Sequence, residues 1–463
     1  MTAHPYMPNS TPEAERELLD AVGVPDVRSL FAQIPAAHRL RSPLELPPAL
    51  TSEVALRRHL LELLSRNETC EGNLSFLGGD IWQHHVPAVC DEIVRRSEFL
   101  TPVWGTPSSD LGRNQSWFEF ASQLGELVGM DFVGLPVYSW GCAAGHALRM
   151  AVRLTGRTHV LVPGTMSPER LAVLRTYCGQ PELQGYIEVE LVGHDRVTGG
   201  IDINDLRTKL SSGTAAVMFD NPSFLGGIEA RSAEIAAVAR EHGAETIVGV
   251  DPISLGLLAP PSDYGADIVV GSIQPLGVHM SCGGGAGGFI ATRDDPRYAH
   301  QYPTLCLSIS ETVSGEHGFG IALFEQTSYG SREEGNDWTG NSVYLWAVAN
   351  AAYMALLGPE GFRELGRAVI ARSHYAARRL ASIEGVEIPF EEGFFKQFVV
   401  RFDGTGKTVA EINRELRKRG IFGGGDLSHS FPELGQSALY AVTEVHTKVD
   451  VDRLAAAVSE VVA

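Results

Sequence analysis

Short runs of apolar or β-branched residues recur through the middle of the chain, at His159 to Pro163, Tyr186 to Leu191, Ala215 to Asp220, Thr246 to Asp251, Asp267 to Gly271 and Gly288 to Ala291. Helix-like segments lie between them. From about Gly134 to Arg293 this alternation predicts crossover βαβ units, hence a mostly parallel sheet with helices on both faces. Upstream, the first 50 residues mix short helical patterns with a proline-punctuated stretch, Leu40 to Leu50, that reads as an extended arm. Helical spacing resumes at Leu56, Leu60, Leu61, Leu63 and Leu64. Downstream, a long apolar helix over Val343 to Leu357 leads to a helix at Gly361 to Leu380, a strand at Phe398 to Phe402, a helix at Val409 to Arg419, a strand at Ser437 to Val442 and a helix at Val451 to Val462. The expected organisation is an arm with helices over 1–74, a large α/β domain over 75–342, and a linking helix with a small α+β domain over 343–463.

Charge narrows the function. Lys and Arg number 37 against 56 Asp and Glu, a formal charge of −19 that repels a phosphate backbone or an anionic membrane surface. Nucleic acid and membrane are therefore not expected partners. No apolar run approaches the ~18 residues of a membrane span, and Met1 to Arg16 lacks the apolar core of a signal peptide. Six scattered cysteines without ligand spacing read as reduced thiols, and the expected compartment is the cytoplasm. Only five of the basic residues are lysines (Lys209, Lys396, Lys407, Lys418 and Lys448), and the 186 residues from Leu210 to Phe395 contain none. Lysine-dependent chemistry has few places to sit.

Several segments carry candidate chemistry, each beside a plainer reading. Gly283 to Gly288 could bring backbone N–H groups up to a phosphate, or form a tight turn before a strand. Asp251 ends an apolar run, where an open α/β sheet binds its ligands; it could pair with a protonated pyridine nitrogen or cap a helix. Lys407, in Gly404-Thr405-Gly406-Lys407-Thr408, lacks the earlier glycine of a P-loop, since Arg401 stands there, and reads as a solvated turn. His84 and His85 have no second ligand pair at helical spacing, so local packing or substrate contact is expected rather than a metal. Cys142 sits before a helix, where a thiol can be activated, yet a small residue for close packing explains it better.

Read together, the segments resemble glycine dehydrogenase (decarboxylating) subunit 1, the amino-terminal half of the glycine-cleavage P-protein. The resemblance runs through Ser75-Phe76-Leu77-Gly78-Gly79, His84, Pro87-Ala88-Val89 and Arg96-Ser97-Glu98-Phe99. It continues in Val250-Asp251-Pro252-Ile253-Ser254-Leu255, Tyr264 to Gly271 and Gln274-Pro275-Leu276-Gly277, then in Leu357 to Gly361, Gly420 to Gly424, Pro432-Glu433-Leu434 and Ala441 to Glu444. It implies a fold-type-I pyridoxal-phosphate (PLP) scaffold, with a large seven-stranded domain, a small carboxy-terminal domain and an active site at a subunit interface. In that fold PLP forms a Schiff base with a lysine after the Asp-bearing strand. Here Gln274, in Ser272-Ile273-Gln274-Pro275, takes roughly that lysine's place, and an amide cannot form the Schiff base.

The resemblance thus implies PLP on a catalytic partner subunit and none covalently on this chain, in a heterodimer or α2β2 assembly that serves the lipoyl H-protein. On this chain it implies no catalytic residue, no metal and a degenerate pocket of Asp251, Gln274, His279, Gly283 and Gly284; should the chain itself trap PLP, Lys396 is the first candidate. Three stretches, Gly105 to Gly112, Tyr138 to Gly141 and Arg332 to Trp338, depart from the family pattern and read as loops. They leave open a second reading, a diverged paralogue joined to a PLP subunit for another amino-acid reaction.

Overall fold

The computed structural model describes residues 11–42, 44–99, 107–182, 185–281, 286–322, 326–336, 338–339, 342–390 and 393–463. The chain divides into two compact units, 1–68 and 69–463. In the first, the helix Pro12–Val22 starts where Thr11 Oγ1 accepts from the Ala14 N–H at 3.2 Å and ends at Gly23. A second helix, Glu53–Leu64, starts at Ser52 in the same way. None of the unit's described residues is buried, and Leu18, Phe31, Leu46, Leu60 and Leu64 are all exposed. Among its described residues the unit has no core of its own.

The second unit opens with β1 (Leu74–Ser75) and β2 (Phe132–Val133) and continues with β3 (His159–Pro163), β4 (Glu188–Val192), β5 (Thr214–Asp220), β6 (Glu245–Val250), β7 (Ile268–Ser272) and β8 (Gly288–Thr292). Strands β2 to β8 form a seven-stranded sheet in the order β2-β8-β7-β6-β5-β3-β4, in which β8 runs antiparallel to β2 and β7 and the other pairs are parallel. Every residue of β5 to β8 is buried, as expected for strands covered on both faces. Val217, Phe219, Val248 and Val250 point into one core layer with the long helix Tyr344–Ala381. Ala216, Met218, Ile247 and Val270 point into the other, with the helix Trp140–Thr155. The predicted α/β class is that of the molecule, and the six strands predicted for the large sheet are present with ends shifted by a residue or two, while its edge strand β2 was not predicted.

Beyond the sheet, β9 (Cys306–Glu311) and β10 (His317–Ala322) form a hairpin that the hydropathy pattern did not predict. Its outer residues, such as Ile309 and Val313, are exposed, so no alternation of buried and polar positions marks it. The two helices expected on either side of Leu357 are one 38-residue segment, broken at Gly358, whose φ of 57° precedes Pro359. Then β11 (Gln397–Arg401), β12 (Ile421–Phe422), β13 (Gly425–Asp426) and β14 (Ser437–Ala441) follow. The order β11-β14-β13 makes a small antiparallel sheet, and β1 pairs in parallel with β12. Two of the three divergent stretches are partly helical rather than loops: Pro107 to Gly112 lies in the helix Pro107–Val128, and Trp140 and Gly141 open a helix capped by Ser139. The proline, and the short polar residues that favour helix starts, account for both. Among the described residues no helix is long and apolar enough to cross a membrane.

Candidate functional site

The carboxyl ends of β5 and β6 place two acids, Asp220 and Asp251, where the strand order turns back on itself between β5 and β3. Ligands of open α/β sheets bind at such a point. Both acids are buried and both are paired with a base. Asp251 divides its oxygens: Oδ1 accepts from the Ile253 N–H at 3.1 Å, capping the turn Pro252–Gly256, and Oδ2 lies 2.7 Å from Lys396 Nζ. Of the two roles considered for this residue the capping one is present, and its other oxygen faces a lysine ammonium rather than a pyridine nitrogen.

Lys396 immediately precedes β11, so the small sheet delivers its ammonium across the cleft to the large one. The side chain is 2% exposed. Its Nζ also lies 2.7 Å from His84 Nε2 and 3.9 Å from the centroid of the Trp82 ring. His84 Nδ1 is 2.8 Å from Glu444 Oε2, and the other Glu444 oxygen accepts from the His85 N–H at 2.7 Å. Since the carboxylate can only accept, Nδ1 carries the proton and Nε2 offers its lone pair to the ammonium. The result is a chain of contacts Asp251–Lys396–His84–Glu444, in which Asp251 Oδ2 meets the ammonium as an ion pair without hydrogen-bond geometry. Burial pushes the Lys396 ammonium below the ordinary lysine range, against the pull of Asp251. Burial pushes Glu444 the other way, but its contacts with His84 and the His85 amide prevail and hold it below the ordinary carboxylate range.

A second buried cluster shares this wall. Arg170, in the first turn of the helix Pro168–Cys178, sends Nη1 to Asp220 Oδ2 at 2.5 Å and Nη2 to Asp80 Oδ2 at 2.8 Å, with its guanidinium 3.5 Å from the Trp140 ring centroid. Burial pushes the Asp220 carboxyl up, against the attraction of Arg170. Asp80 adopts a left-handed backbone, φ 68°, to reach in. The loop that carries Asp80 and Trp82 is pinned by Gln397, whose Oε1 accepts from the Gly79 N–H at 3.1 Å and from Trp82 Nε1 at 3.0 Å.

The other residues expected in a pocket are elsewhere. Gln274 is buried but donates through Nε2 to the Val278 carbonyl at 2.9 Å, closing its own turn. His279 is exposed and pairs with Asp91 at 2.9 Å, away from Asp251. Gly283 and Gly284 lie outside the described residues. Lys407 stands just after the turn Asp403–Thr405 and donates to the Val461 carbonyl, and Cys142 packs in the first turn of its helix, 2.6 Å from Tyr177 Oη. Trp82, Asp80, Arg170, Asp220 and Glu444 were not singled out for chemistry from the sequence. One signal was available: Lys396 stands inside Phe394-Phe395-Lys396-Gln397-Phe398-Val399-Val400, and a lysine in an apolar run needs a buried acid.

The fold defines the class. A Burkholderia pseudomallei sphingosine-1-phosphate lyase superposes with a TM-score of 0.65 at 14% identity, covering 93% of this chain and 94% of that one. A NifS-like protein superposes at 0.61 and 14% identity, covering 84% and 99%. This is the fold-type-I architecture of PLP enzymes. The crystal structure of an inhibitor-bound glycine decarboxylase (P-protein) of the glycine cleavage system superposes at 0.85 with 31% identity, over the whole of both chains. Curated relatives named probable glycine dehydrogenase (decarboxylating) subunit 1 are 36% identical over 100% of this chain and 99% of theirs in Staphylothermus marinus, and 36% over 99% of each in Pyrococcus horikoshii. The model of the glycine cleavage system P-protein matches residues 4–458, and the chain belongs to that family.

The cleft can be tested against the fold's cofactor. Around Trp82, Trp140, Arg170, Phe395 and Lys396 the remaining cavity is about 10 Å³, room for about one water. A cleft of about 300 Å³ shares the Trp140 and Arg170 wall, but Asp251 does not line it. No lysine lies within the β7–β8 connection, and Asp251 already has a cation. These residues do not fit PLP.

Proposed function

We propose that this chain is the non-Schiff-base subunit of a two-chain glycine dehydrogenase (decarboxylating), in which the partner chain carries PLP and the lysine that binds it. The observation that carries this reading is Gln274. It lies in the turn after β7, in a lysine-free stretch of 186 residues, within a chain matched end to end by relatives named subunit 1. The family's reaction is PLP-dependent glycine decarboxylation with aminomethyl transfer to the lipoyl arm of H-protein, and we assign this chain to that complex. Its part is scaffold and interface. The apolar residues of unit 1–68 lack a core of their own, and we assign them to contact with the partner subunit. Within the chain we assign 1–74 as arm, 75–342 as the large domain and 343–463 as the linking helix and small domain. The acidic composition and unpaired cysteines such as Cys70 and Cys90 support a cytoplasmic assembly.

The test is absorbance of the chain with PLP, alone and co-expressed with the partner, followed by borohydride reduction and peptide mapping. The reading expects label on a partner lysine only, and glycine-dependent CO2 exchange only from the pair with H-protein. Label on this chain, or exchange by this chain alone, refutes it.

A further inference from the structure

The groups around Lys396 Nζ make up a binding site for an organic ammonium. Asp251 supplies a buried carboxylate at 2.7 Å, His84 Nε2 a lone pair at 2.7 Å, and Trp82 the negative face of its ring at 3.9 Å. Glu444 adds a second carboxylate behind His84 and holds the imidazole in the tautomer that accepts. The groups come from three separate parts of the chain, the loop after β1, the end of β6 and the segment after β14, and the lysine from a fourth, just before β11. Lys396 brings the positive charge to this set, while Arg170, which lines the same cavity, is held by Asp220 and Asp80. We propose that the vestigial cofactor cleft is a primary-ammonium site occupied in cis by Lys396, and that a free alkylammonium takes the same place once the lysine is truncated.

The inference rests on this chain's geometry and goes beyond the glycine reading, because it concerns what fills the cleft rather than which reaction the complex performs. In place of a ring nitrogen, the chain's own ammonium neutralises Asp251. The hydrogen-bond acceptors favour a tetrahedral N–H donor of small radius, and the remaining cavity of about 10 Å³ leaves no room for a bulkier cation beside it. Truncation by Lys396→Ala removes three methylenes and the nitrogen, so n-propylammonium is the missing fragment.

The experiment follows thermal unfolding of the full-length Lys396→Ala chain during titration with n-propylammonium chloride. The expected result is a saturable rise in Tm of several degrees. Wild type should not respond, nor should Lys396→Ala/Asp251→Asn, and neither n-propanol nor tetramethylammonium should substitute. A rise equal to that of wild type, a rise with propanol, or no rise overturns the proposal. If Lys396→Ala needs a ligand to fold, the reading is its refolded yield with and without propylammonium, and equal yields overturn the proposal. Reductive methylation of native wild type supplies a check that needs no variant. Lys209, Lys407, Lys418 and Lys448 should be modified and Lys396 protected, whereas modification of Lys396 at the rate of the others refutes occupancy in cis.

Discussion

Replacing Arg170 by methionine keeps much of the side chain's length and removes only its charge and donors. The guanidinium is 3% exposed and stands 2.5 Å from an Asp220 carboxylate that is 2% exposed, so water cannot take its place. Removing one partner of such a pair costs ~3–5 kcal/mol, because the other charge stays buried and alone. Loss of the stacking on Trp140 adds to this, up to ~2 kcal/mol. The deficit must also depend on pH. Burial already pushes the Asp220 carboxyl up, and without Arg170 the charge left acting on it is that of Asp80, another acid. An acid whose folded pKa exceeds its unfolded one takes up a proton on folding; the contribution is complete below the unfolded pKa and is lost as pH rises through the folded one. Urea midpoints of wild type and Arg170→Met should therefore lie closer together in mildly acidic buffer than in alkaline buffer. Arg170→Met/Asp220→Asn, which carries a neutral amide, should recover much of the loss at high pH. A deficit below ~1 kcal/mol, or one equal at both pH values, would falsify the assignment of Arg170 as the anchor of Asp220.

Three further outcomes are expected. Glu444 has a carboxyl lowered from 4.5 to about 2, so its contribution is present above 4.5 and fades as pH falls toward 2. Glu444→Gln should lower stability at neutral pH by ~3 kcal/mol and flatten the acid limb of the unfolding profile, and an unchanged limb counts against the His84 contact. Gly226 has φ 100° and a backbone so close to the Gln397 carbonyl that an added Cβ would lie 1.9 Å from that oxygen. Gly226→Ala should lose at least ~1–3 kcal/mol by chemical denaturation, and a neutral result would mean that the loop is free to move away from β11. Gln274→Lys should give no Schiff-base absorbance with PLP, since the cleft beside Asp251 stays filled; a visible band from that single change would show that the cleft is open.

The parts of this molecule that repeat a simple rule could be read from its sequence. Ala215 to Phe219 and Ile247 to Val250 are uninterrupted apolar runs, as a strand buried on both faces requires. Asp251 was legible because its place at the end of such a run carries meaning. The cluster around it was not, because Lys396 and Asp251 are 145 positions apart and His84 and Glu444 are separated by 360. Pairing of that kind is decided by how two sheets pack, and no local spacing encodes it. His279 was misleading for a similar reason. It lies a few residues beyond β7, near enough in sequence to suggest the cleft, but its turn carries it to the surface and to Asp91. The hairpin of β9 and β10 escaped notice because its outer positions face solvent and the pattern had nothing to register.

The ammonium of Lys396 also acts as a ratchet on the history of this chain. To become a cofactor enzyme it would need a lysine in the turn after β7 and, at the same time, the removal of a lysine that neutralises a buried acid. The first change alone gives nothing to select, and the second alone weakens the fold. On the two-chain reading proposed above, selection for folding would keep that division of labour in place, even in periods when selection for catalysis is relaxed.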